Sequence, residues 1–365
     1  MGENLRICVI KLSALGDCCL FLPAFNAIRR TFLAAEITWV IAPLEYRLLE
    51  GLSGVNFVIY DKKSGLKGAI TLRKTLKNYL NGAKFDYLLM PQESLRASVL
   101  SLFVPAKIRV GYDKDRAKDF QRFFCNAQIA TRREPHLVEN ALDFAIALAK
   151  LEDKPLKEPT QIEWNLPIPQ DERENAAKFA AQIGRYFIVS PIANAVRFNW
   201  RNWTAEGYAQ AIDYAAEKYG LTPVITGVGS ERENETITEI SAILQSKIID
   251  LNGKTSLKFL LALIEKAEFV IAPDSGPGHF AAALGTPAIA LLACADPRRA
   301  APFQKPSYCV DRYEEALLKF AGKKLNEVKF GARARDPKAM REITPTDVTQ
   351  MIDRAMSDVI FKRNH

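Results

Sequence analysis

A chain of 365 residues, 48% hydrophobic and 25% charged, has the balance of a soluble globular protein of about two domains. Nothing in it reads as a membrane span, which needs about 20 apolar residues; the run Ala281 to Ala295 is shorter and contains Pro287. The formal net charge is +8, and residues 62–133 alone hold 16 basic and 5 acidic residues, net +11, which suits a solvated basic face or an anionic partner such as nucleic acid, lipid or phosphorylated glycan.

The N-terminus does not read as a secretory signal, because Arg6, Lys11 and Asp17 interrupt the apolar stretch. The six cysteines form no CxxC pair and no zinc spacing, so they read as reduced structural thiols of a cytosolic protein.

Taken in chain order, Arg6–Lys11 predicts a buried strand, followed by a polar turn and a helix from about Cys18 to Thr31. Ile37–Ile41, Val55–Tyr60, Phe85–Met90 and Lys107–Val110 continue the strand series, with helical patterns at Leu66–Leu80 and Ser94–Phe103. Strands alternating with helices imply βαβ units and a parallel sheet. Residues 151–172 break the pattern with Pro155, Pro159, Pro167 and Pro169 and read as an extended linker. A second series follows at Tyr186–Ser190, Thr222–Thr226, Lys247–Leu251, Glu268–Ala272 and Ala288–Leu292. The tail Thr344–Phe361 opens on a capping pattern and reads as one amphipathic helix. The fold class is therefore α/β, with two doubly wound domains in tandem.

Four segments can carry chemistry. Lys11-Leu12-Ser13-Ala14-Leu15-Gly16-Asp17 joins a strand to a helix, where open α/β sheets bind ligands. Gly16 permits a tight turn, and Asp17 serves either as a general base or as a helix cap. Pro273-Asp274-Ser275-Gly276-Pro277-Gly278-His279 is a second strand-to-helix turn, whose backbone N–H groups suit a pyrophosphate. In it Asp274 can accept from sugar hydroxyls and His279 can donate to a phosphate; the bland alternative is an Asp-capped helix with a satisfied histidine. Ser190 to Trp203 offers Ser190, Asn194, Arg197 and Arg201 after a strand, with Trp203 as a hydrophobic staple for the helix Thr204–Lys218. Thr226-Gly227-Val228-Gly229-Ser230-Glu231 is a glycine turn that can present a carboxylate to a ribose. No P-loop, HExxH or nucleophile elbow occurs, which removes P-loop kinases, zincins and α/β-hydrolases.

Together these segments resemble the ADP-heptose:lipopolysaccharide heptosyltransferases, glycosyltransferase family nine. The most specific parts are Ile10–Asp17 (IKLSALGD), Arg201-Asn202-Trp203, Thr226–Glu231 (TGVGSE) and Ala272–Leu291 (APDSGPGHFAAALGTPAIAL). The resemblance implies a GT-B fold of two Rossmann-like domains facing a central cleft, residues 1–165 for the acceptor and 166–343 for the nucleotide-sugar, with a C-terminal helix, 344–365, packing back toward the first domain. It implies inverting transfer of L-glycero-D-manno-heptose from ADP-heptose to the Kdo/heptose inner core, with no cofactor and no obligatory metal. By the same resemblance Asp17 is the catalytic base. Donor contacts fall on Ser190, Asn194, Arg197, Arg201, Gly227, Glu231, Asp274, Ser275, Gly276, Gly278 and His279, with Arg197 and Arg201 competing for the phosphate. Acceptor contacts fall on Lys11, Ser13, Gly16, Arg96, Arg109, Arg116 and Arg122.

The basic stretch then meets an anionic acceptor, while Lys62, Lys63, Lys67, Arg73 and Lys74 can face the anionic inner leaflet of the cytoplasmic membrane. The expected protein is a cytoplasmic, peripheral monomer that does not bind nucleic acid. Two alternatives stay open: a relative using another nucleotide-sugar, and a non-catalytic sugar-nucleotide sensor on the same frame.

Overall fold

The computed structural model describes residues 4–158, 160–193 and 199–364. It divides into two units, Met1–Pro167 and Ile168–His365, so the break falls just past the expected 165/166.

The first unit holds a six-stranded sheet of β1 (Arg6–Ile10), β2 (Glu36–Ile41), β3 (Asn56–Ile59), β4 (Phe85–Leu89), β5 (Ala106–Gly111) and β6 (Ala127–Gln128), in the order β3-β2-β1-β4-β5-β6. Every neighbouring pair is parallel. The helices are α1 (Leu15–Thr31), α2 (Pro43–Leu49), α3 (Gly65–Tyr79), α4 (Leu95–Ser101) and α5 (Leu137–Leu151). Successive strand residues point to opposite faces, and the sheet is covered on both. Leu72 and Leu76 of α3 and Ala97 and Leu100 of α4 pack with Cys8, Ile10, Val40 and Leu88 on one side. On the other, Trp39 is fully buried with Phe21 of α1 edge-on at 5.3 Å and Phe25 at 5.9 Å. The Trp39 indole N–H donates to the Lys11 carbonyl at 3.1 Å, which ties the end of β1 to the core beneath it.

The second unit repeats the plan. Its strands are β7 (Tyr186–Val189), β8 (Thr222–Ile225), β9 (Ile249–Asp250), β10 (Val270–Pro273), β11 (Ala288–Leu292) and β12 (Cys309–Asp311), in the order β12-β11-β10-β7-β8-β9, again parallel. Its helices are α6 (Gln170–Ile183), α7 (Ala205–Tyr219), α8 (Glu231–Ser241), α9 (Leu257–Lys266), α10 (Gly276–Leu284), two short turns α11 (Pro297–Ala300) and α12 (Tyr313–Ala316), and α13 (Pro345–Asn364). In both sheets the strand order reverses once, between β1 and β4 and between β7 and β10. At such a reversal the loops leaving the carboxyl ends of the two strands diverge and open a crevice.

The α/β class and tandem arrangement expected from the sequence are present, with three corrections. Helix α1 begins at Leu15, so Gly16 and Asp17 lie in its first turn and not in the loop before it. The proline-rich stretch is a linker only as far as Pro169, the N-cap of α6; the run Gln170–Ile183 is helical, with Asp171 and Glu172 in its first turn. The short strands β6 and β12 lack the apolar runs that mark the others. The tail helix forms as α13, and within the second unit it packs on α7, β11 and β12. Asp353 fixes it there by accepting from Tyr214 Oη (2.8 Å), Tyr219 Oη (2.7 Å) and Lys218 Nζ (2.9 Å).

All six cysteines are thiols. Burial pushes those of Cys8, Cys18 and Cys19 well up, and that of Cys125 up to about 11. Only the thiolate reacts readily. The native protein at pH 8 is therefore expected to leave Cys8, Cys18 and Cys19 unmodified by a thiol-specific reagent until denaturant is added. Rapid native labelling at any of the three, located by peptide mass, would contradict this packing.

Candidate active site

The segment after β1 is held by the segment after β4, its neighbour at the reversal. Gln92 Oε1 accepts from Leu12 N (2.5 Å) and Ser13 N (3.3 Å), and its amide donates to Ser13 Oγ (3.2 Å). Lys11 Nζ donates to the Pro91 carbonyl at 2.9 Å. Gln92 is in turn supported from below, because the fully buried Gln121 donates to the carbonyls of Met90 (2.9 Å) and Gln92 (3.0 Å). On this frame α1 starts with Ala14 as its N-cap residue, which carries no capping oxygen. Asp17 takes over part of that task, its Oδ2 accepting from Ala14 N at 3.0 Å. The carboxylate is thus anchored at a helix N-terminus, where the dipole favours negative charge. It is half-buried at the carboxyl edge of the sheet. Asp17 is thus the third helical residue, not the N-cap, and it braces the helix start from the carboxyl edge of the sheet.

The second sheet presents its counterpart after β10. Ser275 is the N-cap of α10 but makes no capping bond; its hydroxyl donates to the Pro273 carbonyl at 3.1 Å. Pro277 has no N–H, so the Gly276 and Gly278 N–H groups of the first turn lack a capping side chain. Beside them lies the Asp274 carboxylate, whose side chain is 12% exposed. Arg201 Nη1 donates to the Asp274 carbonyl (2.8 Å) and to Oδ2 (3.2 Å). Arg333 Nη2 lies 3.9 Å from the same Oδ2. Arg201 is held by Asn199, whose Oδ1 accepts from its backbone N and Nε, both at 3.2 Å. Arg333 is held by a bridge to Ala295 and by Ala334 N donating to the Cys294 carbonyl at 3.1 Å, at the end of β11. Burial, together with the nearby Arg201 and with Arg299 and Arg335, pushes the Arg333 guanidinium below its ordinary value. Several cations are crowded here against one carboxylate, an arrangement that lowers the cost of admitting an anion.

A profile of glycosyltransferase family 9 (heptosyltransferase) matches residues 72–328. The chain belongs to glycosyltransferase family 9. It is 34% identical over 339 residues to the lipopolysaccharide core heptosyltransferase OpsX of Haemophilus influenzae, covering 92% of this chain and 93% of that one. A glycosyl transferase family 9 structure from Veillonella parvula superposes with a TM-score of 0.78 at 22% identity, over 98% of this chain and 99% of the other. The heptosyltransferase WaaC of E. coli with ADP gives 0.71 at 18% identity, over 96% and 100%. The fold is GT-B and the chain is a glycosyltransferase.

Within this glycosyltransferase the remaining expected site residues have distinct places. His279 is buried in the first turn of α10. Ser190 is buried at the end of β7, where its hydroxyl pairs with that of Thr226 at 2.7 Å. Gly227 permits a close approach of other polar groups: a Cβ there would stand 2.3 Å from Asn252 Oδ1 and 2.8 Å from Glu233 Oε1. The carboxylate that closes that turn is Glu233, which accepts from Ser230 N at 2.8 Å, while Glu231 projects into solvent from the first turn of α8. Asn194 and Arg197 lie outside the described residues. Trp203 is the expected staple. It precedes the N-cap Thr204, packs edge-on against Tyr208 at 5.1 Å, and its indole donates to the Ile343 carbonyl at 2.9 Å.

The four arginines expected at the acceptor divide. Arg96, on the first turn of α4, and Arg122, over the Phe123 ring at 4.9 Å, are exposed. Arg109 turns back toward the amino end of β5, donating to the carbonyls of Val104 (3.0 Å) and Ala106 (3.4 Å), away from the carboxyl edge. Arg116 is partly buried, its side chain 10% exposed, paired with Asp113 and with Asp143 at 2.7 Å, and donates to Asn140 Oδ1 at 2.7 Å. Its charge is spent on structure, so Arg109 and Arg116 are corrected from acceptor contacts to framework residues. Gly16 is likewise a helical residue and not a turn.

Sequence reading missed Gln92, Gln121 and Arg333. For Gln92 a usable signal exists, a polar residue directly after the apolar β4, the strand that must lie beside β1 in this order.

Removing one partner of a buried ion pair costs about 3–5 kcal/mol, because the other charge is left uncompensated. Arg116→Met is expected to lower the urea unfolding free energy by about that amount, with Arg122→Met staying within about 0.5 kcal/mol of wild type. Equal effects of the two substitutions would remove Arg116 from the framework.

Proposed function

We propose that this enzyme transfers L-glycero-D-manno-heptose from ADP-heptose onto the Kdo/heptose inner core of lipopolysaccharide, with inversion and without a metal. Heptose and the lipopolysaccharide core follow from the 34% identity to a lipopolysaccharide core heptosyltransferase across most of both chains. That identity favours this donor over another nucleotide-sugar, and an enzyme over a sensor.

The observation that carries the mechanism is the pair of guanidiniums, Arg201 and Arg333, set on Asp274 beside the open N-terminus of α10. A leaving diphosphate needs positive charge already in place, and fixed guanidiniums with backbone N–H groups provide it. Both cations meet Oδ2 of Asp274, and the other carboxylate oxygen can accept from a sugar hydroxyl. Glu231, exposed at the start of α8 just past the glycine turn, is the carboxylate assigned to a ribose. In the first domain Asp17 takes the proton of the acceptor hydroxyl as that oxygen attacks the anomeric carbon. The bond from that carbon to the phosphate oxygen breaks, and ADP leaves with the electron pair. Lys11 and Ser13 are tied to the β4 loop and so hold Asp17 in position, while the exposed Arg96 and Arg122 meet the anionic acceptor.

The same reading makes the protein a monomer in the cytoplasm with peripheral contact to the inner leaflet. Of the lysines considered for that contact, Lys62 is 3.6 Å from Glu45 and partly neutralised, while Lys63, Lys67, Arg73 and Lys74 are exposed. No helix among the described residues is long and apolar enough to cross a membrane.

A positioned base contributes about 10²–10⁴-fold. Asp17→Asn is therefore expected to lower kcat by that range with ADP binding retained, measured as ADP release from ADP-heptose with a Kdo-bearing acceptor. Retention of wild-type turnover would remove Asp17 as the base, and no ADP release by wild type with any such acceptor would remove the reaction. Since arginine supplies the positive charge, a chelator is expected to leave the rate unchanged; loss of activity restored by Mg²⁺ would refute the metal-free reading.

A further inference from the structure

At the amino edge of the first sheet, the end opposite Asp17, lies a cavity of about 360 Å³. Four cations line it, Arg73 and Lys77 from α3, Lys84 before β4 and Arg109 of β5, and no carboxylate does. Arg73 reaches across to the Leu102 carbonyl at 3.4 Å, so it is directed toward the end of α4. Arg109 is fixed by its two carbonyl bonds, yet its Nε is shielded from solvent and has no acceptor among the described residues. Asp86, the second residue of β4 at this edge, is already taken by Lys107 at 2.7 Å and by Arg6 N at 2.9 Å. Four cations, two of them held by backbone carbonyls, with no carboxylate in the lining form a receptor for a compact anion.

The surface that continues from this cavity identifies the anion's carrier. Helices α3 and α4 cover the same side of the sheet, and their outward residues include Leu66 and Ile70 on α3 and Leu95, Val99 and Leu102 on α4, each 43–66% exposed. Phe120 and Phe123, each 71% exposed, stand beside α4. Phe120 is held out by a left-handed backbone, φ 49° at Asp119 and 61° at Phe120, which non-glycine residues seldom adopt. The Asp119 carboxylate accepts from Leu95 N at 3.3 Å and fixes that corner to α4. Interleaved with these apolar groups are the exposed Lys67, Lys74, Arg96 and Arg122. Aliphatic groups at this density suit acyl chains, whereas a nucleic-acid strand is recognised by rings at stacking spacing.

We infer that the Arg73–Lys77–Lys84–Arg109 cavity binds the phosphodiester headgroup of an anionic membrane lipid, while the outer faces of α3 and α4 with Phe120 and Phe123 enter the bilayer surface. The inference deepens the peripheral contact proposed above by giving it a site.

The test is co-sedimentation of the full-length protein with vesicles of phosphatidylcholine alone or with added phosphatidylglycerol, in parallel with titration of inorganic phosphate and of a single-stranded oligonucleotide. Each basic residue near an anionic surface contributes about fivefold in affinity. Binding is expected only with phosphatidylglycerol, weakened about 25-fold in Lys77→Ala/Lys84→Ala and weakened in Phe120→Ser/Phe123→Ser. Transfer to a soluble, deacylated acceptor is expected to stay unchanged in the lysine variant, which separates failure of this site from failure of the transferase reading. Unaltered vesicle binding by the lysine variant overturns the site. Saturable binding of inorganic phosphate without vesicle binding assigns the cavity to free phosphate and overturns the lipid. Binding to the oligonucleotide in place of vesicles does the same in favour of nucleic acid.

Discussion

Everything this enzyme does depends on a single reversal in the strand order of each sheet. Parallel strands deliver all their following loops to one edge, and only where the order turns do two of those loops part and leave room for a ligand. Both sheets turn at the same place in the series, between β1 and β4 and between β7 and β10. The polar clusters collect there: Asp17 and Gln92 on the segments after β1 and β4 in the first unit, Arg201 and Arg333 on Asp274 in the second. Side-chain amides do the fixing in both, Gln92 and Gln121 in one and Asn199 and Asn202 in the other. A neutral amide can offer a donor and an acceptor to two strands of backbone without adding charge to a site that must handle charge.

The distribution of arginine shows how far sequence charge is from usable charge. Sixteen basic residues between 62 and 133 look alike as letters. In the structure Arg116 is consumed by Asp113 and Asp143, Lys118 by Glu93 and Lys107 by Asp86, while Arg109 meets only neutral carbonyls. Asp274 plays the reverse part. It holds two guanidiniums where like charges would otherwise push one another apart.

Local signals account for most of what the sequence made legible. The buried strands are continuous apolar runs, glycines and a proline mark the first turns of α1 and α10, and the staple of Trp203 on Tyr208 joins positions five apart. Asp17 was recognisable because its position, directly after a strand, already defines its surroundings. Partners distant in the chain were not legible. Arg116 meets Asp143 from 27 positions away and Gln92 meets Ser13 from 79, and no periodicity encodes such encounters. Arg333 lies past the matched family profile, and its place depends on a bridge to Ala295 that only the folded chain reveals. The start of α6 was hidden for a different reason: four prolines nearby mask a helix whose first turn begins just after the last of them.

The C-terminal helix has a bearing on how the protein is made. Val348, Ile352, Ala355 and Met356 of α13 are fully buried in the same core as Phe187, Tyr208 and Ile271, so the second domain is missing part of its interior until the last residues exist. The core cluster of the first domain is built from residues between Cys8 and Ala106, all made early, and N-terminal domains generally fold while synthesis continues. The second cannot complete its core until α13 has left the ribosome, and until then it presents an unfilled apolar seam to solvent.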